Sequence, residues 1–151
     1  MRILFVCTGN TCRSPMAEAI LKSKAIDGVE VKSAGVFAMN GSPASAHARI
    51  VLGENNIPEA HRSTMLTQAE MSWATFVFTM TEGHKATVIS QYPDASNKTF
   101  TLKEFAENNA GGKDIVDPYG GSIELYRKTF NDLHSTIEKI IARIESEHGF
   151  C

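Results

Sequence analysis

The stretch Arg2–Pro15, RILFVCTGNTCRSP, decides how this chain folds. Its opening residues, Arg2 to Val6, are β-rich and almost continuously apolar, as expected of a strand covered on both faces. Ser14-Pro15 then offers an N-cap and N1 pair for a helix whose Ala17, Ile20, Leu21 and Ala25 share one face. Between strand and helix lie two cysteines, a glycine, an asparagine and an arginine, a mixture that suits neither a core nor an ordinary surface. A buried strand that turns directly into a helix is the opening half of a βαβ unit.

The alternation continues downstream. Strands are expected at Val29 to Ser33, Ala74 to Met80 and Lys98 to Leu102, each rich in β-branched or aromatic residues. One helix is expected from Ser42-Pro43 to about Leu52, ending near Gly53 and Asn55-Asn56, and another from Thr81-Glu82 toward Gln91, stopped by Pro93. Asn108 to Asp117 (NNAGGKDIVD), prolonged by Pro118, Gly120 and Gly121, reads as a long loop. From Ser122 to about His148, apolar residues from Ile123 through Tyr126, Phe130, Leu133 and Ile137 to Ile144 keep a helical period. The expected architecture is α/β: one domain over residues 1–151, with an open parallel sheet of about four strands in the order 2-1-3-4 and helices on both faces. In such sheets ligands bind beyond the carboxyl ends of the strands, where Cys7 to Ser14 lies.

Bulk composition narrows the function classes. The chain has 151 residues, 42% hydrophobic, with a formal net charge of -2, so no global field draws it to nucleic acid or an anionic membrane. The early apolar run Ile3 to Cys7 is too short for a signal peptide or a span, and a cytoplasmic monomer is expected. The three cysteines, Cys7, Cys12 and Cys151, are expected to be reduced. Cys7 and Cys12 have no second Cys/His pair at metal-ligand spacing, so neither metal nor cofactor is expected.

A turn between a strand end and a helix N-terminus gathers backbone N–H groups and the positive end of the helix dipole into one concavity, which favours an anion. Gly9 is suited to close backbone approach or positive φ, and Asn10 tolerates the left-handed region. Arg13 supplies a planar fork matched to phosphate oxygens. The same field is expected to lower the Cys7 thiol, with Ser14 donating its hydroxyl to the sulfur. A nucleophile beneath a phosphate cradle points to attack on phosphorus and a cysteinyl-phosphate intermediate. Asp117, aimed by Pro118, is the candidate general acid.

The pattern CxGNxCRSP on a strand-to-helix turn, joined to the late Asp117-Pro118-Tyr119 and to Ser33-Ala34-Gly35, resembles the low-molecular-weight protein phosphatase family over essentially the whole chain. The resemblance implies that Cys7 is the nucleophile, Arg13 the phosphate ligand and Asp117 the acid. It also implies that Ser33 and His61 brace the loop with Asn10, that Tyr119 walls the substrate slot, and that phosphorylated proteins are the partners. Cys12 is read either as a packed residue or as a redox partner that captures oxidised Cys7 as a disulfide.

Tyrosine phosphatases of the family usually carry Leu or Ile where this chain has Thr8 and Thr11. A smaller wall with a hydroxyl leaves room and a polar contact for a guanidinium, and Thr11 with the run Asp117 to Ser122 resembles the arginine-phosphatase branch. Phosphoarginine is therefore the expected substrate, and phosphotyrosine is the alternative. An arsenate reductase would need a further cysteine in a segment such as Phe78 to His84, which has none. His47, His84, His134 and His148 read as surface or helix residues, and Cys151 as incidental.

Overall fold

A computed structural model describes residues 1–107 and 114–147. Strands β1 (Arg2–Cys7), β2 (Glu30–Gly35), β3 (Phe76–Thr79) and β4 (Thr99–Thr101) form one sheet in the order β2-β1-β3-β4. Every neighbouring pair is parallel, with Cys7 opposite Gly35 on one side of β1 and Val6 opposite Thr79 on the other. The helices are α1 (Arg13–Ser23), α2 (Ala46–Glu54), α3 (Gln68–Trp73), α4 (Glu82–Gln91), α5 (Leu102–Glu107) and α6 (Ile123–Glu147), with a 3-10 turn at Pro93–Lys98.

The period-2 geometry of β1 divides the core between the faces of the sheet. Ile3, Phe5 and Cys7 join a cluster with Met16 and Ile20 of α1, Leu52 of α2 and Phe130, Leu133 and Ile137 of α6. Leu4 and Val6 join a second cluster with Met71 of α3, Val77 of β3 and Val88 of α4. Both faces of β1 are therefore covered, which is why its sequence is nearly continuous in apolar character. Each fully buried side chain of this kind contributes about 1.5–3 kcal/mol. Phe76, Phe78 and Phe105 add ring contacts at centroid distances from 5.0 to 5.7 Å.

Several boundaries differ from the sequence expectation, for local reasons. Helix α1 begins at Arg13 with Cys12 at the N-cap, ahead of the expected Ser14-Pro15 start, and has no side-chain cap. The Ser14 hydroxyl is engaged elsewhere, by Cys7 and Asn10. Helix α2 starts at Ala46 rather than after Ser42, because Ser42 and Ser63 exchange hydrogen bonds that hold this stretch extended. Ser45 then caps it, accepting from Ala48 N at 3.3 Å. Strand β2 runs on through Ala34 and Gly35, beyond the expected end at Ser33. Strands β3 and β4 are shorter than the expected Ala74–Met80 and Lys98–Leu102. Helix α3 carries too few residues to show a period and was not expected. Cys151, His148 and most of the loop Asn108 to Asp117 lie outside the described residues.

The chain leaves β1 toward β2 on one side and reaches β3 on the other, so the switch point of the sheet lies at the end of β1. No helix among the described residues is long and apolar enough to cross a membrane.

Candidate active site

Beyond β1 the backbone turns through residues 8–12 into α1, and one residue sets the curvature. Asn10 has φ 57, the left-handed region that asparagine tolerates. Its amide is occupied on all sides: Nδ2 donates to Ser14 Oγ at 2.8 Å and Ser33 Oγ at 2.9 Å, and Oδ1 accepts from Thr64 N at 2.8 Å. Of the two uses expected for Gly9, positive φ is not the one it serves, and a Cβ there would meet no protein atom nearer than Thr11 Oγ1 at 3.7 Å. The glycine that permits close approach is Gly35, where a Cβ would strike the Thr8 carbonyl and lie 2.9 Å from Asn10 N.

The expected braces Ser33 and His61 both contact Asn10 directly, and they are tied together by Glu18, a residue that sequence reasoning did not single out. His61 Nε2 lies 2.6 Å from the Asn10 carbonyl, and its Nδ1 is 3.5 Å from Glu18 Oε1. Ser33 Oγ donates to that same Glu18 oxygen at 2.5 Å. Burial alone would raise the Glu18 carboxyl, but hydrogen bonds from His61, Lys22 and Ser33 outweigh it and hold it at about 2. Glu18 is one helical turn beyond Ser14 on α1, and that spacing is the signal that could have found it. A cavity of about 600 Å³ backs onto this brace, lined by Glu18, Ser33, His61 and Trp73 but not by Cys7.

A smaller cleft of about 220 Å³ gathers Cys7, Thr8, Gly9, Thr11, Cys12, Arg13, Asp117 and Tyr119. Cys7 and Cys12 are both free. Cys7 Sγ lies 2.8 Å from Ser14 Oγ. Burial pushes the Cys7 thiol above its ordinary value, against the lowering pull of the Ser14 hydroxyl and N–H, the Arg13 charge and the Asn10 N–H. This corrects the expectation of a lowered thiol: the Ser14 and Arg13 interactions expected to lower it are present, but desolvation of the buried sulfur outweighs them.

Arg13 is buried, with Nη1 donating to the Ile115 carbonyl at 2.9 Å and Nη2 3.6 Å from Asp117 Oδ2. Ile115 is in turn fixed to the end of β3, donating its N–H to the Met80 carbonyl at 2.9 Å. Asp117 Oδ1 accepts from Tyr119 N at 3.0 Å, a local turn that sets the carboxylate over the cleft mouth. Cys12 is buried against α2 and α6, 3.4 Å from Tyr126 Oη and 3.6 Å from Ser45 Oγ. His84, read as a surface or helix residue, is a helix residue of α4 but a buried one, and its Nε2 lies 2.7 Å from Thr8 Oγ1. It sits in the first turn of α4, directly after β3 and beside the same switch point, so that position was the available signal.

The arrangement provides a sulfur, loop backbone N–H groups, a guanidinium and a carboxylate around one small cleft. Comparison with known proteins agrees with that geometry. The sequence model of the low molecular weight phosphotyrosine protein phosphatases matches residues 2–149. A protein-arginine-phosphatase of Geobacillus stearothermophilus is 53% identical, with 97% of each chain covered. A low molecular weight protein-tyrosine-phosphatase, PtpB, of Staphylococcus haemolyticus is 40% identical, covering 93% of this chain and 97% of the relative. Among solved structures, the arginine phosphatase of G. stearothermophilus superposes with a TM-score of 0.93, covering 97% of this chain and 94% of its own. On this evidence the chain belongs to the low molecular weight phosphotyrosine protein phosphatase family.

Proposed function

We propose that this chain is a protein phosphatase that hydrolyses phosphoarginine through a phosphorus–sulfur intermediate at Cys7. The observation that carries this reading is the cleft itself: Cys7 at the floor, Arg13 and Asp117 beside it, and two threonines, Thr8 and Thr11, as walls. The loop amides and Arg13 hold the equatorial oxygens of the transferring group. As the dianion docks, the Cys7 proton passes to a phosphoryl oxygen, which lowers the repulsion between sulfur and substrate. The sulfur then attacks phosphorus while the P–N bond breaks, its electron pair moves to nitrogen, and Asp117 donates a proton to that nitrogen and is left as the carboxylate. In the second half, Asp117 takes a proton from water, the water oxygen attacks phosphorus and the S–P bond breaks, releasing phosphate and free Cys7.

A large aliphatic wall suits a phenyl ring, whereas Thr11 leaves space and a hydroxyl for a guanidinium. The arginine-phosphatase relative supports this substrate by its name. Phosphotyrosine is the second reading, supported by the family description and by the PtpB relative. Cys12 shares the cleft with Cys7. Should a peroxide oxidise Cys7 to the sulfenic acid, condensation with the Cys12 thiol would expel water and form a disulfide that spares the nucleophile from further oxidation.

The testing experiment compares kcat/KM for phosphoarginine and phosphotyrosine peptides in the native protein and in Thr11→Ile. The native protein is expected to prefer phosphoarginine, and the substitution to move the ratio toward phosphotyrosine by about 10- to 200-fold. An unchanged ratio would show that Thr11 does not set specificity.

A further inference from the structure

His84 is buried and otherwise unused by the proposed chemistry. It lies near the start of α4, where its N–H caps onto Thr81 Oγ1 at 3.0 Å, and its ring Nε2 contacts Thr8 Oγ1 at 2.7 Å. Nδ1 is buried and lacks a hydrogen-bond partner among the described residues. Burial first, and then the Arg13 charge, hold the imidazole down to about 4, against smaller opposing effects of Asp114 and Asp117. The ring is therefore neutral near pH 7, with one N–H.

The orphaned nitrogen decides where that hydrogen sits. A bare lone pair in the field of Arg13, the largest single charge acting on the ring, costs less than an N–H dipole without an acceptor beside a cation. The hydrogen is thus assigned to Nε2, which donates to Thr8 Oγ1. Thr8 main chain is already fixed, its carbonyl accepting from Phe37 N at 3.0 Å, so rotation of the side chain is the freedom that His84 removes. The Thr8 hydroxyl keeps one lone pair and its own hydrogen, at a residue that lines the substrate cleft.

We propose that His84 is a positioning residue that presents the Thr8 hydroxyl as a reader of the P–N–H linkage, giving the cleft part of its preference for phosphoguanidinium over aryl phosphate. The inference rests on the phosphoarginine reading and extends it to a second wall of the cleft. A phosphoguanidinium places an N–H donor directly beside P–O acceptors, so one hydroxyl can accept from the first and donate to the second. An aryl ester has oxygen at the bridge and no N–H, so it engages only half of that capacity. An aliphatic side chain at position 8 would offer neither bond and would leave the buried Nε2–H unpaired.

The test measures kcat/KM for both phosphopeptides in Thr8→Val, His84→Leu, His84→Gln and the Thr8→Val/His84→Leu pair. Thr8→Val and His84→Leu are each expected to lower the phosphoarginine value about tenfold more than the phosphotyrosine value, the scale of one lost hydrogen bond in a desolvated site. His84→Gln, which keeps an N–H at the end of a side chain of similar reach, should recover most of the preference. The double variant should lose no more preference than Thr8→Val alone, since the histidine acts through the threonine. Equal losses on both substrates in His84→Leu, or losses that multiply in the double variant, would overturn the inference while leaving the phosphoarginine reading intact. A native protein that turns over phosphotyrosine but not phosphoarginine would overturn both.

Discussion

Cys7 and Arg13, which line the cleft, and Asn10 and Ser14, which support its floor, are all buried, and hydrogen bonds tie them to one another and to Ser33, His61, Thr64 and Ile115. At its mouth the Asp117 side chain is 52% exposed and Tyr119 is 78% exposed, with a main-chain turn to hold the carboxylate. The two regions face different physical demands. Charge that develops on a phosphoryl group is best met by dipoles that need no reorganisation, so the floor is fixed before substrate arrives. A leaving group enters from solvent and departs to it, so the mouth stays open and its carboxylate remains hydrated. The floor should therefore govern whether phosphoryl transfer occurs at all, and the walls and mouth which substrate undergoes it.

Removing the proton carrier at the mouth breaks this comparison hardest. Asp117→Asn should lower kcat by about 10²- to 10⁴-fold with a poor leaving group. The loss should shrink for an activated aryl phosphate whose phenol leaves unaided, and an equal loss on both would assign Asp117 to binding instead. Behind the floor, Glu18→Gln should destabilise the fold by about 1–3 kcal/mol, because a half-buried brace loses its charged acceptor. The sign with pH follows from the lowered carboxyl. Its contribution is fully present above the ordinary value near 4.5 and is lost as pH falls toward about 2. Denaturant midpoints of the two proteins should converge over that window, and a constant gap would refute the assignment. The smallest effect concerns the nucleophile at rest. Because burial holds the Cys7 thiol up, its alkylation rate in the ligand-free protein should keep rising past pH 8, and a plateau below pH 7 would show that the donors outweigh desolvation.

The floor was more legible in the sequence than the mouth. Cys7, Asn10, Arg13 and Ser14 are close together in the chain, and a single strand-to-helix turn brings them together. The parallel sheet followed from the alternation of elements, and its order 2-1-3-4 is the one observed. Glu18 and His84 left only a positional signal in the sequence, one turn beyond Ser14 and just after β3, because their roles depend on contacts with Ser33, His61 and Thr8 that only the packed sheet creates. The raised Cys7 thiol was missed for a related reason. The sequence displays the donors around the sulfur but not how completely the core excludes water from it. Helix α2 began later than its Ser-Pro signal because a long-range pairing with Ser63 overrode local propensity.

Phosphorus bonded to sulfur is the species on which the whole account depends. Rapid acid quench of Asp117→Asn during turnover of a phosphoarginine peptide, followed by mass spectrometry of the Cys7 peptide, measures it directly. The account predicts a phosphate's mass on Cys7 that decays as free phosphate appears. Turnover with Cys7 unmodified at every quench time, or with the phosphate carried on another residue, would contradict it.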